Sequence, residues 1–194
     1  MTSPFEADND ATPLAAEERH GLIPTHIALR SELNELEQAN IAAADNWAFS
    51  RKRNVLDEAF LRGLHRRMFN RVWKWAGDYR TTGRNLGVTP YRIQADLMQV
   101  IGDARYWLEN KTYSPDELAV RFHHRIVSVH PFPNGNGRWS RLAADLLAVQ
   151  QGGKRFTWGS ANLQASGDAR RAYIDALHAA DNHDLEPLAA FARS

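Results

Sequence analysis

Residues that could carry out phosphate chemistry lie together in the twelve-residue segment from His130 to Arg141. Gly135 and Gly137 can adopt positive φ, which lets successive backbone N–H groups point at one anion, and a helix starting there adds about half a positive charge. Arg138 and Arg141 share a helix face and can both reach a polyphosphate. His130, with an ordinary pKa near 6.5, can accept a proton at neutral pH. A base beside an anion-binding loop suggests phosphoryl or nucleotidyl transfer, in which the protein positions reactants and neutralises charge.

Each of these features also has an ordinary structural interpretation. A Gly-x-Gly sequence before a helix is usually a turn, and a single histidine is more often structural than a base. Arginines at this spacing are usually solvated, although near a helix N-terminus they oppose the helix dipole and favour an anionic partner. From the residues alone, phosphate binding and a plain turn remain alternatives. A metal site built on His123, His124 and His130 is less favoured, because no acidic third ligand lies at a convincing spacing.

Helical periodicity surrounds the loop. Before it, Ser114–Glu117 is typical of a capped helix start, in which Glu117 can bond back to the cap, and the helix would bury Leu118, Phe122, Ile126 and Val129. After Gly137 the apolar pattern resumes and ends at Gly152. Further helices are predicted from Thr25, over Leu56–Met68, over Ile93–Leu108, over Gly167–Ala180, and from Asp184 to the end.

The segment from Gly77 to Pro90 differs from the helical remainder. It combines glycines with short β-favouring pieces, which predicts a short β-hairpin flap. The predicted fold is therefore all-α, a single-domain helical bundle with one such flap. Residues 1–20 are predicted to be a loose lead-in, and residues 21–194 the domain.

Composition narrows the class of protein. The 194 residues carry a formal net charge of +1, which does not favour nucleic acid as the main partner. Cysteine is absent, which excludes disulfides and thiolate chemistry and fits a reducing cytoplasm. No apolar run approaches the roughly 18–20 residues of a membrane helix, and the acidic, polar N-terminus does not resemble a secretion signal. We expect a cytoplasmic protein without a membrane partner.

The segment His130–Arg141 resembles the Fic signature, His-x-Phe-x-Asp/Glu-Gly-Asn-Gly-Arg-x-x-Arg, with seven matching fixed positions and one departure. The resemblance extends to Trp75–Arg80, Val88–Ile93 and Asp184–Leu188, and thus over roughly residue 25 to the end. In overall pattern the chain is most similar to the Fic subgroup called mobile mystery protein B. The fold that this implies is a Fic-type helical bundle.

The resemblance implies a protein adenylyltransferase, in which a hydroxyl of a target protein attacks the α-phosphate of ATP. His130 would then be the base, and Phe132 an aromatic that anchors the loop in the core. The anion nest would be formed by Gly135, Asn136 and Gly137, and the phosphates would be held by Arg138 and Arg141. The target would present a Ser, Thr or Tyr hydroxyl, with self-modification as a further outcome.

The resemblance also gives the flap a role in docking the target. The flap would pair with an extended target segment by strand addition and align its hydroxyl. Its residues are Gly83, Arg84, Asn85, Leu86, Gly87 and Val88.

Asn134 is the departure from the signature. The family usually has Asp or Glu there, and that carboxylate helps hold Mg²⁺ between the phosphates. An amide oxygen can coordinate Mg²⁺ but brings no charge. We therefore expect weaker metal binding, an altered nucleotide pose or lower activity.

The family also implies an inhibitory glutamate. Its usual pattern is Ser/Thr-x-x-x-Glu-Gly/Asn, in which the glutamate pairs with the second arginine of the signature. Ser31–Glu35 matches the first five positions and Leu36 fails the last, while Glu37 is a neighbouring candidate. Glu35 or Glu37 is therefore a candidate inhibitory partner of Arg141, although glutamates on amphipathic helices are ordinarily solvated.

Two other functions remain alternatives. The first is a phosphotransferase similar to the Doc toxins, which have Ala and Lys where this chain has Gly135 and Gly137, so the sequence favours AMP transfer. The second is a nearly inactive nucleotide-binding regulator, for which Asn134 is the main argument.

Overall fold

Helices form the architecture, which confirms the all-α prediction. The computed structural model describes residues 19–160 and 167–194. Within these ranges it has seven α-helices and no strand: α1 Arg30–Phe49, α2 Glu58–Phe69, α3 Ile93–Glu109, α4 Pro115–Val129, α5 Asn136–Gln150, α6 Asp168–Asp181 and α7 Glu186–Arg193. The predicted lead-in lies outside the described residues except for its last two, 19 and 20. None of the helices in the described ranges is both long and apolar enough to cross a bilayer.

The α4–α5 pair forms the centre of the bundle and carries the loop at its junction. Helix α4 starts as predicted, because the Ser114 hydroxyl accepts a hydrogen bond from the Glu117 N–H at 3.3 Å. The Glu117 carboxylate, however, bonds Arg121 rather than the cap. The predicted apolar face of α4 is buried: Leu118, Phe122, Ile126 and Val129 are all at most 4% exposed.

The predicted β-hairpin between Gly77 and Pro90 is wrong. No strand forms there, and the only β-bridge in the described parts of the chain pairs Leu22 with Trp73. The Arg80 guanidinium takes the place of a ladder, since it donates hydrogen bonds to the carbonyls of Thr82 and Val88. A side chain thus closes the flap, and the flap backbone is left without a paired strand.

Candidate active site

Side chains that hydrogen-bond its backbone fix the loop between α4 and α5. Asn136 accepts a hydrogen bond from the Phe132 N–H and donates one to the Phe132 carbonyl, both at 2.9 Å and both buried. Arg80 donates from Nε to the His130 carbonyl at 2.7 Å. His130 itself has left-handed backbone angles, φ 52° and ψ 59°, which non-glycine residues seldom adopt. These contacts hold the chain in a turn that directs it from α4 to the start of α5.

His65 is a site residue whose contacts the sequence did not reveal. Its Nδ1 accepts a hydrogen bond from the Gly77 N–H at 3.0 Å, so in the neutral ring the proton is on Nε2. Nε2 donates to the Asn134 carbonyl at 3.0 Å, and the ring stacks on Phe132 at 3.7 Å. Burial lowers the pKa of His65 to about 3, which keeps the ring neutral. Its place on the apolar stripe of α2 predicts burial but not these partners.

The predicted anion nest has the expected positive φ at Gly135 but not at Gly137, because α5 starts at Asn136 and includes Gly137. Gly135, the residue before α5, has φ 79°, and a Cβ there would lie 2.5 Å from the Phe69 ring. Only glycine therefore fits this position. The first N–H groups of a helix lack intrahelical partners, and no side chain in the described part of the chain caps those of α5. The start of α5 is thus able to bind an anion.

His130 is held in its neutral form. Burial lowers the pKa of His130 to about 4, and the positive charges of Arg80 and Arg84 act in the same direction. The flap packs against this residue, since a Cβ on Gly87 would lie 2.5 Å from the Cβ of His130. At neutral pH the imidazole can therefore accept a proton beneath the flap.

The glutamate contact differs from the prediction. Glu37 pairs with Arg138 rather than Arg141, with 2.5 Å between Glu37 Oε2 and Arg138 Nη1. The two side chains are only 6% and 16% exposed, respectively. Trp73 explains the choice of partner, because its indole N–H donates to Glu37 Oε1 at 2.7 Å and holds the carboxylate beside Arg138. Glu35 is exposed, since two residues turn an α-helix by about 200°.

Arg141 lies on a different neighbour from Arg138. Its guanidinium carbon is 5.2 Å from the ring centre of Tyr173 on α6. A Cβ on Gly137 would lie 3.5 Å from Arg141 Nη1, so the guanidinium sits beside the nest. Arg138, in contrast, lies over Phe69 at 4.8 Å. The structure therefore brings both arginines to the nest, but only Arg138 is paired with a glutamate.

Asn134 is already engaged within the loop. Its Oδ1 accepts a hydrogen bond from the Gly135 N–H at 2.6 Å and lies 3.5 Å from Arg138 Nη2. In residues 19–160 and 167–194, no three His, Cys, Asp or Glu side chains are grouped so that they could hold a metal ion. The loop thus offers Mg²⁺ one neutral oxygen, which does not fit a site where the protein holds the metal by itself.

A cavity of about 540 Å³ opens beside the C-terminal end of α4. It reaches the flap at one end and the α3–α4 groove at the other. Its polar wall includes His124, whose Nε2 lies 2.8 Å from Asp181 Oδ1. Residues that line it near His130 are Val88, Ser128 and Val129.

Comparisons with known proteins point to Fic proteins. The Fic/DOC family profile matches residues 55–148. The probable protein adenylyltransferase y4lH of Sinorhizobium fredii is 30% identical over 181 residues, which cover 86% of this chain and 89% of that protein. Protein adenylyltransferase fic-1 of Caenorhabditis elegans is 32% identical over 133 residues, which are 64% of this chain. The chain spans only about a quarter of the length of fic-1, since the match covers 24% of it.

Solved structures share the fold. The structure of BepC, a VirB-translocated effector of Bartonella tribocorum with bound AMPPNP, aligns with a TM-score of 0.70 at 19% identity. The alignment covers 92% of this chain and 97% of BepC.

Proposed function

Because this chain belongs to the Fic/DOC family, we propose that it is a protein adenylyltransferase that transfers AMP from ATP to a hydroxyl side chain of a target protein. The observation that carries the proposal is a neutral, largely buried His130 on the rigid loop that leads into the glycine-capped start of α5. The adenylyltransferase names of the relatives and the AMPPNP bound to BepC support it. A cytoplasmic location fits both the use of ATP and the absence of cysteine.

The proposed reaction is an in-line displacement at the α-phosphorus. The target hydroxyl oxygen forms a bond to the α-phosphorus, the bond to the oxygen that bridges to the β-phosphate breaks, and pyrophosphate leaves. His130 takes the hydroxyl proton. The N–H groups of Asn136 and Gly137 and the guanidiniums of Arg138 and Arg141 hold the phosphates and stabilise the negative charge.

The target protein would meet the surface beside His130 through the flap. The flap, Gly83–Val88, would receive the target by strand addition, with Asn85, Leu86 and Gly87 exposed. The exposed tip supports this role, because no hairpin partner covers it in the described residues and a target strand can approach it beside the base.

We propose that Mg²⁺ reaches the site bound to ATP. Asn134 supplies one neutral oxygen that already accepts a hydrogen bond, so the phosphates would provide most of the metal's ligands. Weak binding of the metal by the protein is the expected consequence.

Replacing Asn134 with aspartate tests this point. We expect Asn134→Asp to raise the rate of Mg²⁺-dependent transfer about tenfold, because a carboxylate gives the metal a charged ligand. A change of about tenfold corresponds to the free energy of about one charge-assisted contact. Initial rates measured across a Mg²⁺ titration would show it. Asn110→Asp, at the C-terminal end of α3, is the matched control. An unchanged Mg²⁺ dependence would mean that residue 134 does not limit activity.

The Glu37–Arg138 ion pair supports a second part of the proposal, which is that the protein is autoinhibited. Arg138 is a proposed phosphate ligand, and Glu37 already holds its Nη1. ATP must therefore compete with a buried carboxylate for Arg138. The same ion pair is also the best support for the alternative function, a nucleotide-binding regulator. A protein in which Glu37 never separated from Arg138 would be nearly inactive.

ATP labelled separately at the α- and γ-phosphates distinguishes the three functions. We expect the α-label to appear on a target protein, or on the chain itself, while the γ-label leaves with pyrophosphate. Transfer of the γ-label would indicate a Doc-like phosphotransferase. Transfer of neither label, with ATP still bound, would indicate a nucleotide-binding regulator.

A further inference from the structure

A buried hydrogen-bonded pair, Tyr173 and His123, lies beside Arg141. Tyr173, on α6, is 7% exposed, and its hydroxyl lies 3.0 Å from the Nε2 of His123. His123, on α4, is fully buried, and its ring packs against Trp158 at 4.7 Å. Arg141, on α5, lies against the same tyrosine. Helices α4, α5 and α6 therefore meet at the Tyr173 side chain.

The direction of the hydrogen bonds follows from the chemistry of the three groups. A guanidinium has donors only, so the Tyr173 hydroxyl cannot give its proton to Arg141. Burial lowers the pKa of His123 to about 3, so its ring is neutral and one nitrogen can accept. A hydrogen bond from the ring to the Ser140 backbone favours the tautomer with its proton on Nδ1. In that tautomer the hydroxyl donates to His123 Nε2, and its oxygen lone pairs remain for Arg141. Burial raises the pKa of Tyr173, while the charge and hydrogen bond of Arg141 oppose that rise.

The Tyr173 end of this pair lies beside the nest. A Cβ on Gly137 would lie 3.5 Å from Arg141 Nη1 and 3.8 Å from the Tyr173 hydroxyl oxygen. The guanidinium thus sits at the edge of the nest's second glycine, where a bound phosphate would meet it. Arg138 differs, because its charged neighbour is Glu37.

We propose that His123 and Tyr173 are positioning residues that hold the Arg141 guanidinium in place for the terminal phosphates of ATP. The proposal rests on the proposed function, because it assumes that the loop binds a nucleoside triphosphate. His123 fixes the rotation of the Tyr173 hydroxyl, and that hydroxyl fixes the guanidinium. Neither residue touches the reacting atoms.

The test compares the binding of ATP with that of AMP, which lacks the terminal phosphates. Calorimetric titration of Tyr173→Phe, which keeps the ring, should show an ATP dissociation constant about tenfold higher and an AMP constant changed less than about twofold. His123→Gln should shift ATP binding in the same direction. The matched control is Tyr113→Phe, because Tyr113 also lies under an arginine, Arg121 at 4.3 Å, but far from the nest in the fold.

A double-mutant cycle completes the test. In an Arg141→Gln background, Tyr173→Phe should have no further effect on ATP binding, because the group that it positions is gone. Equal weakening of ATP and AMP, no weakening of either, or full additivity with Arg141→Gln would overturn the proposal. The proposal would also be overturned if ATP bound neither the natural protein nor the Glu37→Gln variant.

The outcomes separate this inference from the proposed function, since binding does not require transfer. If Tyr173→Phe weakened ATP binding selectively while the natural protein transferred no α-label, the proposed adenylyl transfer would be wrong. The positioning role of Tyr173 and His123 would still stand.

Discussion

Replacing Glu37 with glutamine is expected to raise AMP transfer about ten- to hundredfold. The carboxylate holds Arg138 Nη1 at 2.5 Å in a largely buried ion pair, so a phosphate of ATP must compete with it for the guanidinium. A hydrogen bond to a charged group is worth about 1.5–3 kcal/mol, which corresponds to about ten- to hundredfold in affinity. Transfer of label from α-labelled ATP, together with the dissociation constant for ATP, would measure the effect.

Glutamine is the informative substitution because it preserves the hydrogen bond with Trp73 and removes the ion pair with Arg138. Its amide oxygen can still accept the hydrogen bond from Trp73, while the negative charge beside Arg138 is lost. We expect the free energy of unfolding to fall by about 1–3 kcal/mol, since a buried arginine loses its charged partner. A variant that is less stable but more active would show that Glu37 restrains the site rather than merely supporting the fold.

Glu35→Gln is the matched control for Glu37→Gln. It removes the same charge from the same helix, at an exposed position that faces away from the loop. Its transfer rate and ATP affinity should equal those of the natural protein. If Glu37→Gln also left both quantities unchanged, Glu37 would have no inhibitory role.

Removing the imidazole of His130 should reduce transfer at least about a hundredfold, the lower end of what a general base contributes. ATP binding should be retained, because the proposed phosphate ligands lie on α5. His178→Ala provides a control, since His178 is an exposed histidine outside the site. Transfer that persisted in His130→Ala would exclude this residue as the base.

The pH dependence provides an independent check on His130. The imidazole accepts a proton only when neutral, so activity is lost as pH falls through its pKa. Because burial lowers that pKa to about 4 in the free protein, kcat/KM should remain high down to about pH 5. An acid limb near pH 6.5, typical of a solvated histidine, would contradict the buried position.

Local sequence patterns predicted the framework of the site well. The Ser114 cap and the apolar face of α4 each depend on residues close together in the chain. Gly135 could also be identified, because few residues other than glycine adopt its positive φ before a helix. These features follow from helix periodicity and backbone sterics.

The contacts that set the state of the site could not be predicted in this way. Glu37 and Arg138 are 101 residues apart, and their pairing depends on where Trp73 places its indole N–H. The prediction of a hairpin in the flap was wrong, because β-favouring residues do not reveal what the backbone will bond. The carbonyls of Thr82 and Val88 accept hydrogen bonds from the Arg80 side chain instead of from a partner strand. These are tertiary effects, decided by which helices pack together.

The most direct test of the whole account is α-label transfer in two variants that differ only at His130, the proposed base. We predict that Glu37→Gln transfers the α-label faster than the natural protein, and that Glu37→Gln combined with His130→Ala binds ATP equally well but transfers at least about a hundredfold less. Equal transfer by the single and the double variant would contradict the account, because it would place the chemistry outside the loop that contains His130.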